Sequence, residues 1–195
     1  MDSRITNILI VGVGGQGTLL TSRIIADVAV QMGHDVKVTE VHGMAQRGGS
    51  VVSEVRFGEK IYSPIIKKGD ADIILAFEKI ESARWLDYLK EDGMVIINNE
   101  RVNPLPVMSG KEKYPDNIHE RVADMIDKTV IIDASGIASE CGNVKAANVV
   151  LVGILSKAIG LPEEEVEKAI REIVPAKALE VNLQAFQEGR KRLEA

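Results

Sequence analysis

The sequence predicts an α/β protein: a Rossmann-like, doubly wound and mostly parallel sheet with an inserted β-hairpin and a helical C-terminal region. Three observations carry this expectation. Short, nearly unbroken runs of Val, Ile and Leu recur at residues 5–11, 71–77, 94–98 and 129–134, the pattern of strands covered on both faces. Stretches with apolar residues at helical spacing lie between them. The first run also breaks into glycines directly before a helical stretch, as at the start of a βαβ unit.

Each element follows from local chemistry. Residues 5–11 (ITNILIV) read as a buried strand ended by glycines. From residue 16 to 32 the spacing turns helical, with Leu20, Ile24, Ile25 and Val28 on one face and Gly33 as the stop. A second strand spans 35–41, and 42–50 (HGMAQRGGS) has no period and reads as a loop. Residues 51–57 alternate apolar and polar, which predicts a half-solvated strand turned by Gly58-Glu59-Lys60 into a partner at 61–63, forming the inserted hairpin. A helix is expected at 80–90, closed by Asp92-Gly93. Residues 102–116 carry Pro104, Pro106 and Pro115 and predict an irregular surface crossing. Helices follow at 145–159, 162–173 and 176–193, the second with Glu163, Glu164 and Glu165 in its first turn. With 195 residues, one domain over 1–195 is expected.

Composition excludes several classes. A net charge of −5 argues against a nucleic-acid surface, which needs an excess of Lys and Arg. The one basic cluster, Arg190, Lys191 and Arg192, sits at a helix end, where it complements the dipole. The single cysteine, Cys141, allows no internal disulfide and cannot ligate an iron–sulfur cluster or a structural zinc ion. A reducing cytoplasm is the expected setting. The N-terminal apolar run is too short for a signal peptide or a membrane span, and no other apolar stretch is long enough to span a bilayer.

Two motifs could carry chemistry. Gly12, Gly14 and Gly17 match G-x-G-x-x-G between a strand and a helix, a context in which backbone N–H groups and a helix N-terminus attract phosphate. Gly15 and Gln16 lie within it, and Glu40 sits near where a ribose-binding acid belongs. The bland reading is that these glycines only make a tight turn and let the helix pack closely. The second motif runs from Glu40 to Gly49 (EVHGMAQRGG). There Arg47 suits a carboxylate or phosphate, His42 titrates near neutrality, Gly43, Gly48 and Gly49 allow close backbone approach, and Met44 and Gln46 complete the loop. Its bland reading is a flexible polar turn. Asp133, Ser135, Cys141 and Asn143 follow a strand end on the ligand side; Cys141 reads as an ordinary small residue, with Lys145 as its one nearby cation. Asn148 opens an apolar helix that is either core or interface, and His34 and His119 read as solvated.

Together GVGGQG (12–17), the EVHGMAQRGG motif and KAANVVLVGILSKAIGLP (145–162) resemble the gamma-type subunit of 2-oxoacid:ferredoxin oxidoreductases, most closely the small subunits of the indolepyruvate type. The resemblance implies a chain that works inside a hetero-oligomer and is inactive alone. A large partner subunit would carry thiamine diphosphate, Mg2+ and iron–sulfur clusters, coenzyme A would be the co-substrate, and electrons would pass to ferredoxin. Gln16, His42, Met44, Gln46 and Arg47 would shape and close the site, with His42 and Arg47 as candidate catalytic groups. On the residues alone two other readings stay open: a free-standing NAD(P)-dependent dehydrogenase and a non-catalytic nucleotide- or coenzyme-binding module. Self-association of the isolated chain stays open as well.

Overall fold

The computed structural model describes residues 5–43 and 49–193. Six strands form one sheet in the order β2-β3-β1-β4-β5-β6. They are β1 (Thr6–Val13), β2 (Asp35–His42), β3 (Ser50–Gly58), β4 (Ala71–Ala76), β5 (Leu89–Asn98) and β6 (Thr129–Ile132). The pairs β1–β4, β4–β5 and β5–β6 are parallel, and β3 runs antiparallel between β2 and β1. The expected doubly wound class holds.

Apolar residues on the two faces of this sheet form separate cores. On one face Ile8, Ile10, Val55 and Leu75 pack against α1 (Thr18–Gln31), α5 (Ala134–Glu140), α6 (Ala147–Ala158), α7 (Glu163–Ile173) and α8 (Leu179–Arg192). On the other, Leu9, Val11, Ile74 and Ile97 lie under α2 (Lys79–Arg84) and α4 (Ile118–Met125). Every residue of α6 from Asn148 to Ser156 is buried, so this helix is core. Burying a Leu or Ile side chain stabilises by about 1.5–3 kcal/mol, which is ample reason for so apolar a helix to sit beneath α8. Arg190 ties α8 to its neighbours, with Nε 3.1 Å from Glu163 Oε2 and Nη1 donating to Ser156 Oγ at 3.2 Å.

Several sequence expectations need correction. The hairpin expected from 51–57 and 61–63 does not form: residues 61–63 are not a strand, and β3 pairs antiparallel with β2 and β1 instead. Nor is β3 half-solvated: it is interior, because Glu54 and Arg56 do not point into water. Arg56 Nη1 donates to the carbonyls of Ser63 and Ile65 at 2.8 and 2.9 Å, Glu54 Oε2 accepts the Ile66 N–H, and Asp35 Oδ2 accepts the Ile61 N–H at 2.9 Å. The segment after Gly58 thus bonds its backbone to side chains instead of to a ladder, and it buries Ile61 and Ile66 over the sheet. The helix expected at 80–90 stops at Arg84, and Asp92 and Gly93 lie inside β5. The proline-rich crossing holds one helical turn, α3 (Leu105–Met108). His34 packs its ring 5.6 Å from that of Phe57, and His119 is partly covered, so neither is simply solvated.

Candidate functional site

The chain leaves β1 toward one face, into α1, and leaves β4 toward the other, into α2, so a crevice opens beyond the carboxyl ends of these strands, where doubly wound folds hold ligands. The glycine loop fills its floor. Gln16 spans the crevice, its Oε1 accepting the Val13 N–H at 2.9 Å and its Nε2 donating to the Phe77 carbonyl at 3.0 Å. The Gln16 N–H is taken by the Val13 carbonyl, and the Gly14 N–H by the Gly49 carbonyl at 3.0 Å. Gly43 N–H donates to the Ser50 carbonyl at 2.9 Å, closing the second loop beside the first. The two motifs therefore meet at one edge of the sheet.

Beside Gln16 lies a cavity of about 410 Å³. Gly15 and Gly17 form one wall, Asn98 and Glu100 from the end of β5 another, and Lys145 and Asn148 at the start of α6 a third. Gly17 stands before α1 with φ 90°, and neither α1 nor α6 has a side-chain cap, so two positive helix ends face this space. Asn148 is 93% covered (7% exposed), and its Oδ1 has no hydrogen-bond partner among the described residues. Such a buried orphan invites a donor from a ligand or an ordered water. Asn98 is anchored, its Oδ1 accepting the Ala134 N–H at 3.0 Å, and Ser135 Oγ donates to Glu100 Oε2. Chemically this is a pocket that can hold an anionic, polar ligand. The cavity of about 350 Å³ bounded by Thr6, Lys90 and Ile159 is at the opposite edge and touches neither motif.

Glu40 does not serve the glycine loop. With β3 between β2 and β1 it is two strand spacings from β1, roughly 9.5 Å. Its carboxylate is engaged as well, Oε2 accepting from Ser53 Oγ at 2.8 Å and Oε1 lying 2.9 Å from His42 Nε2. A bound dinucleotide would need this acid beside β1, and it is not there; the Gly14 and Gln16 N–H groups are also taken within the chain. Of the other named residues, Met44, Gln46, Arg47 and Gly48 lie outside the described residues. Asp133 caps α5 through Gly136 N–H at 2.8 Å, and Asn143 caps the turn before α6 through Lys145 N–H at 3.0 Å. Cys141 is buried in the core, where burial, then Glu188 and Glu140, push its thiol up. Sequence reasoning missed Asn98 and Glu100; the one signal was a polar residue closing an apolar run. It also missed Glu78, 1% exposed, whose carboxylate accepts from four donors: the N–H groups of Ile80, Glu81 and Val102 and the Tyr114 hydroxyl. Among the described residues no group of three or more His, Cys, Asp or Glu is gathered to hold a metal ion, and no helix is long and apolar enough to cross a membrane.

A nucleotide-type α/β fold with a polar pocket and two joined glycine loops at its carboxyl edge is the class these features define. A model of the pyruvate ferredoxin/flavodoxin oxidoreductase family matches residues 7–192, and the chain belongs to that family. It is 43% identical over 188 residues to indolepyruvate oxidoreductase subunit IorB of Thermococcus kodakarensis, covering 94% of this chain and 93% of that protein. IorB of Archaeoglobus fulgidus is 42% identical over 187 residues, covering 94% and 92%. Among solved structures, the gamma subunit of keto/oxoacid ferredoxin oxidoreductase from Geobacter sulfurreducens matches with a TM-score of 0.72 at 25% identity, over 96% of this chain and 97% of that one. 2-Oxoglutarate:ferredoxin oxidoreductase from Magnetococcus marinus shares the fold at a TM-score of 0.74 and 20% identity, over 98% of this chain but 31% of that longer one.

Proposed function

We propose that this chain is the small subunit of a 2-oxoacid:ferredoxin oxidoreductase that takes indolepyruvate or a similar aryl-pyruvate. In this reading a large partner subunit carries thiamine diphosphate, Mg2+ and the iron–sulfur clusters, coenzyme A receives the acyl group, and ferredoxin receives the electrons. The thiamine, when bound on that partner, supplies decarboxylation, and the clusters supply the electron path. The observation that carries the reading is the Gly14–Gly49 hydrogen bond, which sets both motif loops side by side at the edge holding the pocket. Likeness to the IorB subunits supports the substrate class. A cytoplasmic setting accords with one buried, protonated thiol.

The residues of this chain bind and orient. The two uncapped helix ends and Lys145 attract the phosphates of coenzyme A, Asn148 offers a buried amide to a hydrogen-bonding group, and Gln16 fixes the loop between them. Glu40 holds His42 at the end of β2, and Met44, Gln46, Arg47 and Gly48 are assigned to contact with the partner on the likeness of their motif.

The test is reconstitution. The large subunit with its cofactors loaded is mixed with rising amounts of this chain, and indolepyruvate- and coenzyme A-dependent reduction of methyl viologen is followed. The rate is expected to climb and saturate at a fixed subunit ratio. A rate indifferent to this chain overturns the proposal, and micromolar binding of NADH or NADPH by the chain alone would favour the dehydrogenase.

A further inference from the structure

A second polar cleft lies on the α2 and α4 side of the sheet, outside the site above. It has a volume of about 140 Å³ and is lined by Lys79, Arg101, Tyr114, Asp116, Asn117 and His119, among others. We propose that it is an oxyanion site, built for a phosphate group either free or carried by a small ligand.

Three side chains make the case. Lys79, the first residue of α2, has no ion-pair partner among the described residues. Arg101 lays its guanidinium 4.3 Å from the centre of the Tyr114 ring and spends Nε on Asn103 Oδ1 at 2.8 Å, which leaves both Nη groups without a hydrogen-bond partner among the described residues. His119 has a buried Nδ1 with no hydrogen-bond partner among them. Arg101 is exposed and Lys79 partly covered, so water reaches both; their unused donors on one small cleft make a positive patch that an oxyanion complements.

The surroundings hold these groups in place. Tyr114 is 7% exposed and donates to Glu78 Oε1 at 2.6 Å, so the platform under Arg101 is fixed. Burial and the adjacent Glu78 carboxylate push this phenol well above its ordinary range, so the ring stays neutral. Glu78 itself is shared among four donors and does not neutralise Lys79. The other charges nearby are Asp116, which is exposed on the rim, and Glu120 in the first turn of α4. The start of α4 adds N–H groups that Asn117 leaves without a side-chain cap. At about 140 Å³ the cleft is of a size for one phosphate group with a little water.

Titration of the full chain with inorganic phosphate, following the His119 ring resonances, tests this. Saturable shifts are expected, and Lys79→Gln and Arg101→Gln should each weaken binding on the order of ten-fold. Lys145→Gln, at the other pocket, should leave it unchanged. A parallel titration with adenosine monophosphate separates the sources, since equal affinity through the same residues means a carried phosphate and loss of binding means the free ion. Lys79 is at a helix start and its replacement is expected to keep the wild-type melting temperature. Absence of saturable shifts with both probes, or sensitivity to Lys145→Gln and not to Lys79→Gln, overturns the proposal. Either result leaves the oxidoreductase reading untouched, because viologen reduction reports on the other cavity.

Discussion

Gly17→Ala is expected to lower the activity of the reconstituted complex by at least about ten-fold and to destabilise the chain by about 2 kcal/mol. Two costs combine. At φ 90° an alanine is strained by roughly 1–3 kcal/mol. Its Cβ would also stand 2.6 Å from Asn148 Nδ2 and 3.3 Å from Asn148 Cβ, so the whole side chain must move and cannot simply swing its tip away. Asn148 is the buried orphan of the pocket, and displacing it changes what the pocket offers a ligand. Gly15→Ala is the control: φ is 103° there, but an added Cβ meets nothing within 4 Å. The two variants share backbone strain and differ in Asn148. Viologen reduction and chemical denaturation of both, side by side, separate the effects; equal losses of activity would remove Asn148 from the account.

The second large effect lies outside the pocket, at the crossing of α6 and α8. Gly189→Ala should destabilise the fold by about 3 kcal/mol or more. The crossing of α6 and α8 is so close that a Cβ at Gly189 would lie 2.1 Å from the Val150 carbonyl oxygen. Gly153 faces it from α6, where a Cβ would stand 2.3 Å from the Phe186 carbonyl oxygen. Both obstacles are backbone, so relief requires moving a helix that carries the fully buried Phe186. Helix propensity alone predicts the opposite sign, since alanine is better than glycine in a helix interior by about 1 kcal/mol. Denaturant unfolding of Gly189→Ala therefore decides between packing and propensity, and a gain in stability would contradict the crossing.

Much of the fold was legible because its central strands are buried on both faces and so read as unbroken apolar runs, as in β1, β4 and the second half of β5. What misled was the meaning of polar residues within a strand. Glu54 and Arg56 read as solvent-facing, yet they are the partners of a backbone segment seven to twelve residues downstream, a relation no local pattern reveals. The helices α4 and α5 went unpredicted because α4 buries only Val122 and α5 is built of small residues with little periodicity. The glycine motif was visible, but its use was not. That depends on β3 entering between β1 and β2, which separates Glu40 from the loop, and on Gln16 folding back across the crevice. Asn148 stood out as the polar residue at the head of an apolar helix; only the packing of α6 against α1 shows that its amide is orphaned beside Gly17.

On the proposed function, the carboxyl edge of the sheet, with its joined glycine loops, is the face this chain presents to its larger subunit. Backbone hydrogen–deuterium exchange, measured on the chain alone and on the assembled complex, tests it most directly. Slowed exchange is predicted in peptides spanning residues 12–18 and 143–149, with residues 90–94 and 158–160 at the opposite edge unchanged. Protection confined to that opposite edge, with the glycine loop exchanging as fast as in the free chain, would contradict it.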